Sequence, residues 1–123
     1  MRKKLHLISF DIPYPPIYGG VIDVFYKIKA LHHLGIGVIL HCFQYGKDEQ
    51  PKLQEYCESI HYYKRNSYFS SILSNEFPFI VKSRGNEDLI ANLSKDKHPI
   101  LFDGLHTTYI LNQNVFKGRR LFL

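Results

Sequence analysis

Cysteine is scarce in this 123-residue chain, at two residues, and the pair carries no ligand spacing. Cys42 and Cys57 fall in different expected elements and form neither a CxxC nor a Cys/His set, which argues against a zinc site or a redox motif and for reduced thiols in a core. Glycine is also sparse, at eight residues. GxGxxG is missing, as is GxxxxGK followed by Ser or Thr, so neither the dinucleotide fingerprint nor the Walker phosphate loop is present. No two histidines have the HExxH spacing of a metal site. Long apolar runs are lacking too: nothing approaches the roughly 20 residues of a membrane span. Met1-Arg2-Lys3-Lys4 begins like a signal peptide, but LHLISF is short and runs into Asp11 and a proline loop without a small-residue cleavage site, so the expected location is the cytoplasm. No internal repeat or low-complexity tract occurs.

What is present has an ordinary globular balance, 45% hydrophobic and 22% charged, which argues against wholesale disorder. The length suits a single domain with one core. A net charge of +5 fits a polyanion, a phosphorylated substrate or an anionic membrane surface equally well.

Along the chain, Lys4–Phe10 has the nearly continuous apolar run of a central strand covered on both faces. Val21, Val24, Phe25, Ile28 and Leu31 then repeat at helical spacing, with Asp23, Lys27 and Lys29 on the other side and Gly35 as the C-terminal cap. Ile36–Phe43 is β-branched and apolar and makes a second strand. Together these form a βαβ unit with parallel strands and a right-handed crossover. Pro51–Cys57 reads as a short helix and Ser59–Lys64 as a third strand nearer an edge, less apolar than the others. A turn or two of helix is expected at Ser70–Ser74. Asn86 reads as a cap before Glu87 and Asp88, with Leu89, Ile90 and Leu93 the buried face of a further helix. Pro99–Asp103 is a compact strand ending at Gly104, Thr107–Leu111 opens another helix, and Arg120–Leu123 begins a last strand. Strands and helices alternate throughout, which implies an open, mostly parallel sheet with helices on both faces, an α/β/α sandwich.

The stretch SFDIPYPPIYGGVIDV, Ser9–Val24, organises this plan. Prolines stiffen the exit from the first strand, and Gly19-Gly20 stands where backbone N–H groups and the positive dipole end of a helix collect, a suitable place for an anion. Asp11 is placed either to hydrogen-bond a sugar hydroxyl or to cap the loop, and Tyr18, beside the glycines, is a further candidate for contact with a diphosphate or substrate. His106, in DGLHTTY, falls at the same edge of the sheet as a potential base or ligand contact, with Asp103 either orienting it or capping the next helix. Lys82 and Arg84 form a small basic cluster suited to phosphate or to a solvated loop. The other histidines, His6, His32, His33, His41, His61 and His98, read as surface or half-buried positions. Tyr62-Tyr63-Lys64-Arg65 interleaves aromatics with charge, a weak signal for single-stranded nucleic acid, and no nucleic-acid partner is expected.

KLHLISFDIPYPPIYGGVIDVFYKIKALHHLGIGVILHCF resembles the opening strand, P-x-x-GG loop, helix and second strand of the N-terminal half of GT-B fold glycosyltransferases, in particular the large retaining group called family 4. PILFDGLHT is similar to that group's strand with a histidine at its end. The resemblance covers nearly the whole chain and implies a Rossmann-like half whose partner half lies beyond Leu123, with the active site between them. It implies a nucleotide-diphosphate sugar as co-substrate, a glycan or lipid-linked acceptor, no metal or other cofactor, and possible peripheral association with the inner membrane face. It matches Gly19 and Gly20 to the glycines that approach the donor diphosphate, and His106 to the histidine near the transferred sugar. Residues 1–123 alone, lacking the donor half, are then expected to be inactive. The alternative is a non-catalytic α/β module that binds an anion or a partner. A receiver domain fits poorly, because Asp11 stands alone and the third strand runs into Tyr63, Lys64 and Arg65.

Overall fold

A computed structural model describes residues 3–9, 11–44, 48–64, 84–103 and 118–122. Strands β1 (Lys4–Ser9), β2 (Gly37–Gln44), β3 (Ser59–Lys64), β4 (Ile100–Asp103) and β5 (Leu121–Phe122) form one sheet. Its order is β3-β2-β1-β4-β5 and every pairing is parallel. The most apolar strands, β1 and β2, are internal, and the more polar β3 takes an edge, as its composition implies.

Alternate strand residues feed two cores, because successive side chains on a strand point to opposite faces. On one face Leu7, Val38, Leu40 and Cys42 pack with Val24, Phe25 and Ile28 of helix α1 (Gly19–His33), closed by Ile12 from the loop and Leu53. On the other, Ile8, Phe43, Tyr63, Ile100 and Phe102 pack with Leu89 and Leu93 of helix α2 (Arg84–Leu93). This is a Rossmann-like α/β/α arrangement, with one helix layer on each face.

Helix α1 ends as its glycine implies. Gly35 has φ +80°, its N–H donates to the His32 carbonyl at 3.0 Å, and the Ile36 N–H reaches back to the Leu31 carbonyl at 3.0 Å. This is a Schellman turn, whose left-handed residue favours glycine.

Two elements differ from expectation. Pro51–Cys57 is a 3-10 turn, Pro51–Glu55, in which the Leu53 N–H bonds the Gln50 carbonyl and the Tyr56 N–H the Leu53 carbonyl. A segment this short, with Leu53 its one fully buried side chain in the turn, gains too little from α-helical bonds to offset nucleation. Asn86 is not a cap: α2 begins two residues earlier, at Arg84. First-turn N–H groups have no intrahelical partner, so Gly85 and Asn86 are tolerated inside that turn. The helices expected at Ser70–Ser74 and Thr107–Leu111 lie outside the described residues.

Candidate substrate crevice at the switch point

The chain runs from β1 through α1 to β2 and β3 on one side, then returns to β4 on the other side of β1. The strand order therefore reverses between β1 and β4, and the carboxyl ends there are where open α/β sheets take ligands. Ser9 and Asp103 are register partners at that point.

The loop leaving β1 is fixed chiefly by Asp11. Its Oδ1 accepts the Ile12 N–H at 2.8 Å, its Oδ2 accepts the Tyr18 hydroxyl at 2.5 Å, and its carbonyl accepts the Ser9 hydroxyl at 2.7 Å. The Tyr14–Pro15 peptide within it is cis. Asp11 thus closes the loop. Ile12 is fully buried beneath the loop while Ile17 is 73% exposed at its tip.

Tyr18 then occupies the N-cap of α1 in extended conformation, its side chain makes no capping bond, and the first turn holds no acidic residue. Among the described residues a Cβ placed on Gly19 or Gly20 would meet nothing within 4 Å, and neither glycine has positive φ. Neither internal packing nor backbone strain among the described residues calls for glycine at these positions. Their effect is to leave the helix-start amides open to approach.

Across the crevice Lys27 Nζ lies 2.9 Å from Asp103 Oδ1 and 3.1 Å from Asp23 Oδ2. Hydrogen bonds to these two carboxylates raise its pKa, so it stays cationic. The described rim thus carries Asp11, Asp23 and Asp103 against Lys27. Carboxylates are acceptors only, suited to hydroxyl groups, whereas the open amides suit an anion. Lys82 and His106 lie outside the described residues, and Arg84 opens α2 on the other face of the sheet.

No protein-family model matches the sequence, and no solved structure matches it. A relative from Klebsiella pneumoniae, described as "Uncharacterized 44.6 kDa protein in cps region", is 25% identical over 126 residues. That alignment takes in 98% of this chain and 32% of the relative, so the chain spans about a third of the relative's length.

Some expectations about the histidines are corrected. His6 and His41 are not surface or half-buried: they are 2% and 0% exposed. Each joins a polar line beneath α2. His6 Nε2 lies 2.8 Å from Asp96 Oδ1, His6 Nδ1 lies 2.8 Å from His41 Nε2, and His41 Nδ1 lies 2.7 Å from the Tyr63 hydroxyl. Burial lowers the pKa of both, that of His41 strongly, with the Asp96 hydrogen bond partly offsetting the effect at His6. The available signal was a histidine on the α2-facing register of three adjacent strands: His6 beside Ile8, His41 between Ile39 and Phe43, and His61 beside Tyr63.

Both cysteines are free. Burial pushes the Cys57 thiol up to about 12 and that of Cys42 further, so neither is a thiolate nucleophile near neutral pH. Among the described residues no group of three His, Cys, Asp or Glu side chains is placed to hold a metal. No described helix is long and apolar enough to cross a membrane. A cavity of about 700 Å³, floored by Leu5, Leu31, Ile36 and Leu101, lies at the opposite, amino-terminal ends of the strands, remote from the crevice.

Proposed function

We propose that residues 1–123 form the acceptor-side, N-terminal half of a GT-B glycosyltransferase similar to family 4, which moves a sugar from a nucleotide-diphosphate donor to a glycan or lipid-linked acceptor. The observation that carries this reading is the Gly19-Gly20 start of α1, whose N-cap side chain makes no capping bond and which no described residue crowds at the glycines, at the switch point of a 3-2-1-4-5 sheet. The relative in a cps region supports it from a second direction, since such a region points to capsular polysaccharide synthesis.

On this reading the open amides of α1 approach the donor diphosphate and stabilise the charge that develops on it as the glycosidic bond breaks. Asp23 and Asp103 accept hydrogen bonds from sugar hydroxyls, with Lys27 holding Asp103 in place. Asp11 and Tyr18 act together by fixing the loop that presents the glycines. His106 sits near the transferred sugar. The described crevice has little free positive charge, so the cationic clamp for the diphosphate comes from a second Rossmann-like half, for which the relative's greater length leaves room. Lys82 and Arg84 contact the acceptor. The basic balance of the chain suits an acceptor carrying phosphate at an anionic membrane surface.

The test is transfer by a full-length protein containing these residues, offered a panel of nucleotide sugars and lipid-linked saccharides, with the anomeric configuration of the product read by NMR. Retained configuration with at least one donor supports the assignment. Binding without transfer across the panel replaces it with a non-catalytic module.

A further inference from the structure

The polar line beneath α2 has a direction, and both of its ends fix it. At one end Lys95 Nζ, a donor only, lies 2.9 Å from Asn92 Oδ1. That turns the Asn92 amide so that Nδ2 donates to the Tyr63 oxygen at 3.0 Å. At the other end Asp96 Oδ1 is an acceptor only, and it takes hydrogen bonds from the His98 N–H at 3.0 Å and the Arg119 guanidinium at 3.2 Å. Asp96 is therefore held ionised: burial opposes this, but the bonds from His6 and His98 outweigh it and lower its pKa.

Between these ends only one neutral assignment satisfies every link. The Tyr63 hydroxyl donates to His41 Nδ1, His41 Nε2–H donates to His6 Nδ1, and His6 Nε2–H donates to Asp96. The other titratable or charged groups that face this line are His61 on β3, ring-stacked on His41 at 5.0 Å, Asp88 on α2, Lys95 after it, His98 before β4 and Arg119 before β5. Among the described residues a cavity of about 530 Å³ lies between β3 and α2 and is lined by Tyr63, Asn92, His61 and Lys95, so the tyrosine end of the line borders that cavity.

We propose that Asn92, Tyr63, His41, His6 and Asp96 form a proton relay that takes up one proton from the β3–α2 cavity and stores it as a His6 imidazolium paired with Asp96. The transfer balances link by link. A solvent proton bonds to the Tyr63 oxygen as the original hydroxyl proton passes to His41 Nδ1, and the proton on His41 Nε2 passes to His6 Nδ1. His6 then carries both ring protons, His41 is neutral again but in the other tautomer, and Tyr63 is again a neutral phenol. Its oxygen now accepts from His41 Nδ1–H as well as from Asn92, and its own hydrogen is turned out to the cavity. Acidification thus gives the cavity a donor that is committed inward at neutral pH. A ligand group that accepts a hydrogen bond there is favoured in the protonated state, and by linkage favours proton uptake.

The test is ¹⁵N NMR of the imidazole rings in the full chain across a pH titration. At neutral pH both His6 and His41 are expected to carry their proton on Nε2. As His6 becomes doubly protonated, the proton of His41 is expected to move from Nε2 to Nδ1 with the same midpoint. His41 keeping Nε2–H while His6 protonates overturns the relay, as does a His6 already charged at neutral pH. Asp96→Asn retains an acceptor for His6 but removes the countercharge. The His6 midpoint and the His41 tautomer change are expected to shift together to lower pH in this variant. Movement of the His6 midpoint alone would show two independent rings, and a purely structural role predicts no tautomer change at all.

Discussion

Lys27 Nζ donates to Asp103 Oδ1 at 2.9 Å, tying the third turn of α1 to the end of β4 across the point where the strand order reverses. The Asp103 side chain is 15% exposed and that of Lys27 46%, so solvent screens the pair in part. Asp103→Asn is expected to cost about 0.5–1 kcal/mol of stability by urea denaturation. The loss should shrink in about 1 M salt, where screening reaches a few ångströms. A loss that grows with salt would mean that the contact acts through something other than charge.

The glycines at the two ends of α1, Gly20 in its first turn and Gly35 just past its C-cap, separate stability from function. Gly35→Ala forces a side chain into a left-handed conformation and is expected to destabilise the protein by about 1–2 kcal/mol. Gly20→Ala meets no described neighbour within 4 Å and is expected to change stability by less than about 0.5 kcal/mol, or to raise it slightly. Thermal melts of the two variants compare them directly, and equal losses would contradict the open helix start.

Helix α1 also offers a contrast between its faces. Ile28 is fully buried against the sheet, and Ile28→Ala is expected to cost about 2–5 kcal/mol. Ile22 is 37% exposed on the same helix, and Ile22→Ala is expected to fall within about 1 kcal/mol. Chemical denaturation of each variant reads the difference, and a costly Ile22→Ala would place a further contact on the outer face.

Acid sensitivity follows from the buried histidines. His6 and His41 have folded-state pKa values below the ordinary 6.5, so under acid conditions the unfolded chain binds protons that the folded chain does not. Their contribution is fully present above about pH 6.5 and is lost as pH falls from there toward their folded values. The lowered pKa of Asp96 acts in the same direction at lower pH, below its ordinary 3.8. Urea midpoints measured between pH 7.5 and 5 are expected to fall, and a constant midpoint would show that neither imidazole is held neutral.

Much of this structure is written in apolar spacing. The continuous run in β1, the 3.6-residue repeat from Val21 to Leu31 and the glycine at position 35 each produced the element they imply, because each signal coincides with the burial that stabilises it. The more polar third strand fell on the edge for the same reason. The buried histidines were misread because their polarity argues for solvent, while their place in the strand argues for the core. Partners far off in sequence decided the matter: Asp96 meets His6 across 90 residues and Tyr63 meets His41 across 22. Asp11 was legible as a loop residue, and its part in closing the loop needed the Tyr18 hydroxyl at 2.5 Å, seven residues away.

The most direct measurement of the proposed function is sugar transfer by the full-length protein with Gly20 changed to Val. The introduced side chain enters open space in the described residues, so folding should survive, which a thermal melt checks. A backbone that must come close to a diphosphate is then blocked, and transfer is expected to fall by about tenfold or more, equivalent to about 1.4 kcal/mol or more of lost transition-state binding. Wild-type transfer by a folded Gly20→Val protein would contradict the assignment of the α1 start as the donor-diphosphate contact.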